Sequence, residues 1–122
     1  FQHWIDMGAK MTNPPKIFNV NWFRRDDEGK FIWPGFGENM RALLWALDRC
    51  EGKAGAIETP LGYVPSKEDL DLEGINLSEI LTVDKETWKE ELKGIKEWYA
   101  KFDHMPDELI ASLAKLELDL DK

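Results

Sequence analysis

The chain has 122 residues and a formal net charge of −8, from 16 basic and 24 acidic side chains. This length supports one hydrophobic core, and because no break in composition divides it, we expect a single segment from residue 1 to residue 122. The acidic surface repels phosphate backbones, which argues against nucleic-acid binding. No apolar run approaches the roughly 20 residues of a membrane-spanning helix, so no membrane partner is expected.

The cysteine content argues against disulfides and zinc. Cys50 is the sole cysteine, so neither an intrachain disulfide nor a cysteine cluster for zinc can form. A reducing, cytoplasmic location is the resulting expectation. Because Cys50 falls on the apolar face of a predicted helix, we expect it to be buried as a small hydrophobic side chain. The opening sequence, Phe1-Gln2-His3-Trp4, is unlike a signal peptide and is interpreted as the cut end of a longer protein.

In chain order, the first predicted elements are a short helix and an aromatic hairpin. Residues 1–11 are compatible with a helix, which Pro14-Pro15 would end because proline cannot continue one. Residues 17–23 alternate between two faces, as in a β-strand. Residues 26–30 form a charged turn with a glycine, and residues 31–33 are predicted to return as the second strand of the hairpin.

A second helix is predicted from residue 38 to residue 51. Its apolar side chains recur at helical spacing and form one stripe, the pattern of a core-facing surface. The stripe consists of Met40, Leu43, Leu44, Leu47 and Cys50. Gly52 is placed as a C-terminal stop for this helix. Residues 57–64 are expected to be extended, but Pro60 and Gly62 make them poorly suited to a central strand.

The last part of the chain is predicted to be helical. One or two helical turns cover residues 76–81, and Asp84 is expected to cap a helix that runs to about Asp103. The inward face of that helix is predicted to be Trp88, Leu92, Ile95, Tyr99 and Phe102. Pro106 is placed in the first turn of a final helix, in which leucines recur at 109, 113, 116 and 120. The expected fold class is α/β, mostly helical, with a small aromatic β-hairpin followed by helices.

The hairpin region carries the strongest functional signal. Phe23, Phe31 and Phe36 lie on predicted loops or strand ends, where they can supply the two faces of a slot for a flat heterocycle. The amide of Asn39 can read donors and acceptors on the edge of such a ring. Phe36 stands between two glycines ahead of a helix start, where the backbone can approach a ligand closely. This location favours a ligand-binding slot over a purely structural role for the aromatic residues.

The alternative is that the aromatic residues build a core, as aromatics in hairpins usually do. Trp22 and Trp33 are expected to do so. No other chemistry is indicated, because His3 and His104 lack companion ligands for a metal. No GxSxG or GxxxxGK(S/T) sequence occurs in the chain. We therefore assign no catalytic and no metal-binding residue to it.

Two runs of sequence are similar to a known family. Residues 21–24 (Asn-Trp-Phe-Arg) and 33–39 (Trp-Pro-Gly-Phe-Gly-Glu-Asn) resemble the GTP-dependent phosphoenolpyruvate carboxykinases. Shorter runs resemble successive parts of that family's C-terminal end, so the resemblance covers the whole chain. These runs lie at 3–5, 15–18, 41–49, 59–65 and 69–72. Met40 departs from the serine that is more usual at its position, which puts nothing catalytic in doubt.

The resemblance implies an enzyme, a lyase (decarboxylase) that converts oxaloacetate and GTP into phosphoenolpyruvate, GDP and carbon dioxide in gluconeogenesis. It implies manganese at the active site and magnesium with the nucleotide, whose ligands would lie upstream of Phe1 with the P-loop. It also implies that Phe23, Phe31 and Phe36 enclose the guanine and that Asn39 hydrogen-bonds its edge. The chain is thus expected to be a GTP-binding C-terminal part, inactive alone, whose partners are the guanine nucleotide and the upstream part of the same enzyme.

A different hypothesis is a standalone protein-interaction module that uses the exposed aromatic surface for a protein partner. A reading frame that continues upstream into a GxxxxGK(S/T) sequence would favour the carboxykinase. A native start at Phe1 would favour the module. Neither hypothesis predicts the oligomeric state.

Overall fold

The computed structural model describes residues 1–70, 72–73 and 75–122, and it divides into two compact units. One unit is Lys16–Thr82, and the other is Phe1–Pro15 together with Val83–Lys122. The helices of the described residues are α1 (Gln2–Lys10), α2 (Asn39–Cys50), α3 (Leu77–Leu81), α4 (Lys85–Tyr99) and α5 (Asp107–Leu120). A 3-10 turn spans Phe36–Glu38, and β1 (Ile57–Thr59) pairs with β2 (Gly62–Val64). The predicted α/β class with mostly helical content is confirmed.

The Lys16–Thr82 unit is organised around a core of tryptophan and leucine side chains. Trp33 and Trp45 are each 8% exposed. The remaining buried members of this cluster are Leu70, Leu72 and Leu77. The ring of Trp45 also meets Phe18 edge-on, with the ring centroids 6.0 Å apart. Since an indole buries more apolar area than any aliphatic side chain, the two tryptophans dominate this core. The expectation that Trp33 belongs to a core is confirmed, and the half-buried Trp22 packs against it.

The aromatic hairpin is formed only in part. Residues 17–23 form no strand, and the expected ladder is reduced to one antiparallel bridge between Arg25 and Phe31. One reason is local, because the side-chain oxygen of Asn21 accepts a hydrogen bond from the N–H of Phe23 at 3.0 Å. This bond turns the chain where a strand would have to continue. The chain reversal is confirmed, but the strands predicted at 17–23 and 31–33 are wrong.

The strands that form lie in the stretch 57–64, which was expected to be extended. The pairing places Ile57 opposite Val64 and Thr59 opposite Gly62. The proline of this stretch falls in the turn, where it removes no hydrogen bond from the ladder. Gly62 has a φ of 120°, and the hydroxyl of Thr59 donates to its carbonyl oxygen at 2.7 Å. These two features close the turn.

The second helix forms as predicted but packs through a different face. Gly52, with a φ of 72°, follows the end of α2 and confirms the predicted stop. Ala42 and Trp45 face the core, and the indole of Trp45 donates to the carbonyl oxygen of Gly55 at 3.3 Å. The predicted stripe is exposed instead: Met40 58%, Leu43 46%, Leu44 51% and Leu47 58%. Cys50 is exposed as well, so its expected burial is wrong, because the large indole determines which face turns inward.

In the other unit, α4 and α5 pack against each other. Leu92 is 2% exposed and Leu120 is 1% exposed. Asp84 caps α4 by accepting hydrogen bonds from the N–H groups of Glu86 and Thr87 at 3.0 and 3.1 Å. The predicted cap is therefore confirmed. Within the residues described, no helix combines the length and the apolar character needed to cross a bilayer.

The end of α4 differs from the expectation. The helix stops at Tyr99 instead of continuing to about Asp103. The N–H of Phe102 bonds to the carbonyl oxygen of Tyr99, three residues back, at 3.1 Å, so the last turn tightens and terminates the helix. Phe102 is 42% exposed, and its predicted inward position is wrong. Its ring meets Trp98 edge-on, with the centroids 4.6 Å apart.

Candidate functional site

The four candidate residues lie in one stretch, residues 21–39, which we call the aromatic segment. Its first half is a loop that returns on itself through Asp26. A side-chain oxygen of Asp26 accepts hydrogen bonds from the N–H groups of Glu28 and Lys30 at 3.0 and 2.9 Å. Gly29 takes a φ of 79° within the turn, a value that glycine adopts without strain. The turn brings the two sides of the loop together and places Phe23 close to Phe31.

The rings of Phe23 and Phe31 are in contact. Their centroids lie 6.0 Å apart with the planes at 64°, an edge-on arrangement that aromatic pairs prefer. Phe23 is 72% exposed and Phe31 is 45% exposed. Two large apolar rings are therefore held at the surface of the loop, where a ligand can reach them.

Two consecutive arginines brace this pair of rings. The guanidinium of Arg24 donates to the carbonyl oxygens of Ile80 and Thr82, both at 2.8 Å. The guanidinium carbon of Arg25 lies 4.1 Å from the centroid of the Phe31 ring, a distance at which cation and ring attract each other. One face of Phe31 is thus covered by a cation. Arg24 fixes the backbone next to Phe23 to the end of α3.

Phe36 is presented by an unusual backbone. Gly35 has φ 114° and ψ −169°, a conformation that is open essentially to glycine alone. Phe36 then begins the 3-10 turn and is 90% exposed. Within the described part of the chain its ring contacts no other aromatic ring. The structure therefore does not bring Phe36 against the Phe23–Phe31 pair, and the predicted slot is not closed.

Asn39 is held by a tryptophan of the core. The indole Nε1–H of Trp33 donates to the side-chain oxygen of Asn39 at 2.7 Å. Asn39 is half-buried and begins α2. The ring of Trp33 is in turn packed against Trp22, with the centroids 5.1 Å apart. The amide thus sits at the edge of the core, three residues from the exposed Phe36.

Two carboxyl groups outside the aromatic segment, those of Asp69 and Asp119, have lowered pKa values. The hydroxyl of Ser66 donates to Asp69 at 2.7 Å and, with the N–H of Gly55 at 3.0 Å, lowers the pKa of that carboxyl. The ammonium groups of Lys115 and Lys122 lower the pKa of Asp119 to about 2. Both shifts arise from contacts that hold the fold together. Among the residues described, no group of three or more histidine, cysteine, aspartate or glutamate side chains is placed to hold a metal.

Comparison with known proteins decides the family. Residues 1–119 match the family model described as the phosphoenolpyruvate carboxykinase C-terminal P-loop domain. The chain belongs to this family. A phosphoenolpyruvate carboxykinase (GTP) from Arthrobacter sp. is 51% identical over 125 residues, covering 95% of this chain and 20% of the relative. Proteins of the same name from Thermoplasma volcanium and Treponema pallidum are 46% and 48% identical, over 90% and 96% of this chain.

The chain spans about a fifth of the length of these carboxykinases, 19% to 20% of each. The resemblance drawn from residues 21–24 and 33–39 is therefore confirmed at the level of the family. The residues described form no metal-binding cluster, and the manganese and magnesium expected for the whole enzyme stay a prediction. The assignment of Phe23, Phe31, Phe36 and Asn39 to the guanine stays a prediction.

Sequence reasoning missed three contributors to the site. The roles of Arg24 and Arg25 depend on contacts with α3 and with Phe31, and the adjacency of both arginines to Phe23 was the available signal. Trp33 was expected only to pack in a core. Its hydrogen bond to Asn39 has no local signature, because the two residues are six positions apart and a 3-10 turn intervenes.

Proposed function

We propose that this chain is the guanine-recognising part of a GTP-dependent phosphoenolpyruvate carboxykinase. The whole enzyme would convert oxaloacetate and GTP into phosphoenolpyruvate, GDP and carbon dioxide, a cytoplasmic lyase reaction of gluconeogenesis. Membership of the family over residues 1–119 and relatives named phosphoenolpyruvate carboxykinase (GTP) support this proposal. The structural observation that carries it is the exposure of Phe36, at 90%, on a backbone that Gly35 makes possible.

The aromatic segment has the chemistry that a nucleobase requires. Exposed phenyl rings provide stacking surfaces, and stacking on an aromatic ring is worth about 1–3 kcal/mol per base. Stacking alone does not discriminate between bases, since every base has a π face. An amide such as Asn39 adds discrimination, because a mismatched donor or acceptor left unpaired in the site costs free energy. Phe23, Phe31 and Phe36 would therefore provide affinity, and Asn39 selectivity.

Phosphoryl transfer itself would be performed by the rest of the enzyme. Catalysis of this reaction type depends on a phosphate-binding loop, metal ions and cationic side chains around the phosphates. The sequence contains no GxxxxGK(S/T) run, and the described residues contain no metal-binding cluster. In the proposed enzyme, manganese at the active site and magnesium with the nucleotide would be held by residues outside this chain. This chain would hold and orient the base.

The exposed stripe of α2 is the proposed contact with the upstream part of the enzyme. Four apolar side chains on one helical face are about half exposed, namely Met40 58%, Leu43 46%, Leu44 51% and Leu47 58%. A contiguous apolar face of this kind usually marks an interaction surface. Because the chain spans only 20% of a relative such as that of Arthrobacter sp., the remaining polypeptide is the natural occupant. The alternative, a standalone interaction module, would use the exposed aromatic surface for a separate protein.

Nucleotide titration of the full-length carboxykinase tests the proposal. Phe36→Ala and Asn39→Ala are to be compared with the unaltered enzyme for GDP and ADP affinity, with Leu118→Ala in the other unit as a control, since Leu118 is also exposed, at 65%. Phe36→Ala should weaken binding of both nucleotides about tenfold, because both bases lose the same stacking surface. Asn39→Ala should mainly weaken the preference for GDP. Unchanged affinity and unchanged preference in both variants would exclude guanine recognition by this chain.

A further inference from the structure

We propose that Trp33 determines base selectivity by fixing the amide of Asn39 in one orientation, with its NH2 group directed to the base. This inference rests on the proposed function, since it assumes that the aromatic segment receives a nucleobase. Trp33 would then be a positioning residue that acts through Asn39 and makes no contact with the ligand.

The chemistry of the two side chains sets the orientation. An indole N–H can only donate a hydrogen bond. The group 2.7 Å from Nε1 of Trp33 must therefore be the oxygen of the Asn39 amide and not its nitrogen. An amide can otherwise turn by 180° at little cost, and its two ends differ only in their hydrogen-bonding character. Trp33 removes this freedom.

The donor is itself immobile. Trp33 is 8% exposed and belongs to the core cluster with Trp45. Trp22 packs against the same ring, with the centroids 5.1 Å apart. A buried indole in close-packed surroundings cannot change rotamer without opening a cavity. The position of Nε1, and with it the side of Asn39 that carries the oxygen, is thus determined by the core.

The consequence is that Asn39 turns its amide oxygen towards Trp33 and its amide nitrogen away from it. With its oxygen engaged by Trp33, Asn39 offers the two N–H bonds of its amide nitrogen. Guanine carries an oxygen acceptor at position 6, whereas adenine carries an NH2 donor at the same position. A fixed donor therefore pairs with guanine and meets a second donor in adenine. If the amide were free to turn, its oxygen would accept from adenine and the discrimination would be weakened.

The test measures selectivity, not affinity alone. In the full-length carboxykinase, the dissociation constants of GDP, IDP and ADP are to be measured by calorimetry. IDP keeps the oxygen at position 6 and lacks the 2-amino group, so the ratio of the dissociation constants of ADP and IDP reports on position 6 and the neighbouring N1 without a contribution from the 2-amino group. Trp33→Phe keeps an aromatic ring and removes the N–H, and we expect it to lower this ratio about tenfold. Trp98→Phe is the matched control, because it makes the same substitution in the other unit at a half-exposed tryptophan and should leave the ratio unchanged.

A second substitution keeps the test valid if Trp33→Phe fails to fold. Benzothienylalanine at position 33 has nearly the shape of tryptophan but carries sulfur in place of the N–H, and the same tenfold loss of selectivity is expected. A ratio of ADP to IDP that is unchanged in both variants overturns the role of Trp33. If Asn39→Ala lowers the ratio of the ADP and IDP dissociation constants while the two variants at position 33 do not, the proposed function stands and only this inference fails. If Asn39→Ala also leaves it unchanged, the reading of the base by Asn39 fails as well.

Discussion

Arg24 and Thr82 are joined by a 2.8 Å hydrogen bond, in which the guanidinium donates to the main-chain oxygen that follows α3. The same guanidinium donates to the carbonyl oxygen of Ile80, also at 2.8 Å. The last carbonyl groups of a helix have no partners within it, so Arg24 satisfies the end of α3. The residue before it is Phe23, one of the exposed rings. A single side chain therefore stabilises the helix end and holds the loop of the candidate site.

Replacing this arginine should loosen both features. Arg24→Met keeps much of the side-chain length and removes the donors, and a lost hydrogen bond of a charged group costs about 1.5–3 kcal/mol. We expect a decrease of that size in the free energy of unfolding of the 122-residue chain, measured by urea denaturation. Lys16→Met, at an exposed position, is the control. Equal stability of the two variants would show that the Arg24 contacts contribute nothing.

The glycine before Phe36 should tolerate no side chain. Gly35 has a φ of 114°, and a Cβ there would meet no atom within 4 Å, so any cost of Gly35→Ala comes from the backbone alone. Residues in such a conformation cost about 1–3 kcal/mol. Gly37→Ala is a matched control two residues away, where a Cβ also meets nothing within 4 Å and no positive φ occurs.

Thermal denaturation and GDP titration of both glycine variants give the comparison. Gly35→Ala should lower the melting temperature and weaken GDP binding by the full-length enzyme, since Phe36 would be displaced. Gly37→Ala should do neither. If the two variants behave alike, the backbone at Gly35 is not what presents the ring.

The cap of α4 allows a graded test. Asp84 accepts hydrogen bonds from the N–H groups of Glu86 and Thr87, and loss of such a cap costs about 1 kcal/mol. Asp84→Ala should therefore lower the free energy of unfolding by about this amount. Asp84→Asn keeps a capping oxygen and should retain most of the stability. Urea denaturation distinguishes the two, and an alanine variant as stable as the asparagine variant would contradict the cap.

Asp119 should make stability depend on acid pH. Its pKa is held at about 2 by Lys115 and Lys122 in the folded chain, below the ordinary value of 3.8. Because the folded pKa is the lower one, the stabilisation is complete above about pH 4 and is lost as the pH falls towards 2. Asp119→Asn should be less stable than the unaltered chain at pH 7, and this difference should shrink between those two pH values.

The effect is measured as the melting temperatures of the unaltered chain and of Asp119→Asn between pH 7 and about pH 2. Asp103→Asn is the control, because Asp103 is an exposed carboxylate and its replacement should shift stability little at any pH. A difference for Asp119→Asn that stays constant from pH 7 to the acid end would mean that its ion pairs do not stabilise the fold.

Most of the helices could be predicted because their determinants are local. A cap such as Asp84 acts on N–H groups two and three residues away, and leucines repeat within a few turns to give Leu92 and Leu120 their inward positions. Gly52 stops α2 for a reason that concerns only its own φ. The family could also be predicted, since residues 33–39 form one continuous run.

The helical content, the family and the stretch that holds the candidate site could therefore be predicted from local patterns. Tertiary packing, in contrast, turns Trp45 inward and leaves the stripe of Leu43, Leu44 and Leu47 exposed. Tertiary contacts also place the strands within 57–64 and form the hydrogen bond from Trp33 to Asn39. The physical reason is the range of the interactions, because periodicity shows where apolar side chains lie but not which face finds a partner. Contacts such as that of Arg24 with Thr82 join residues far apart in the chain, and no local pattern contains them.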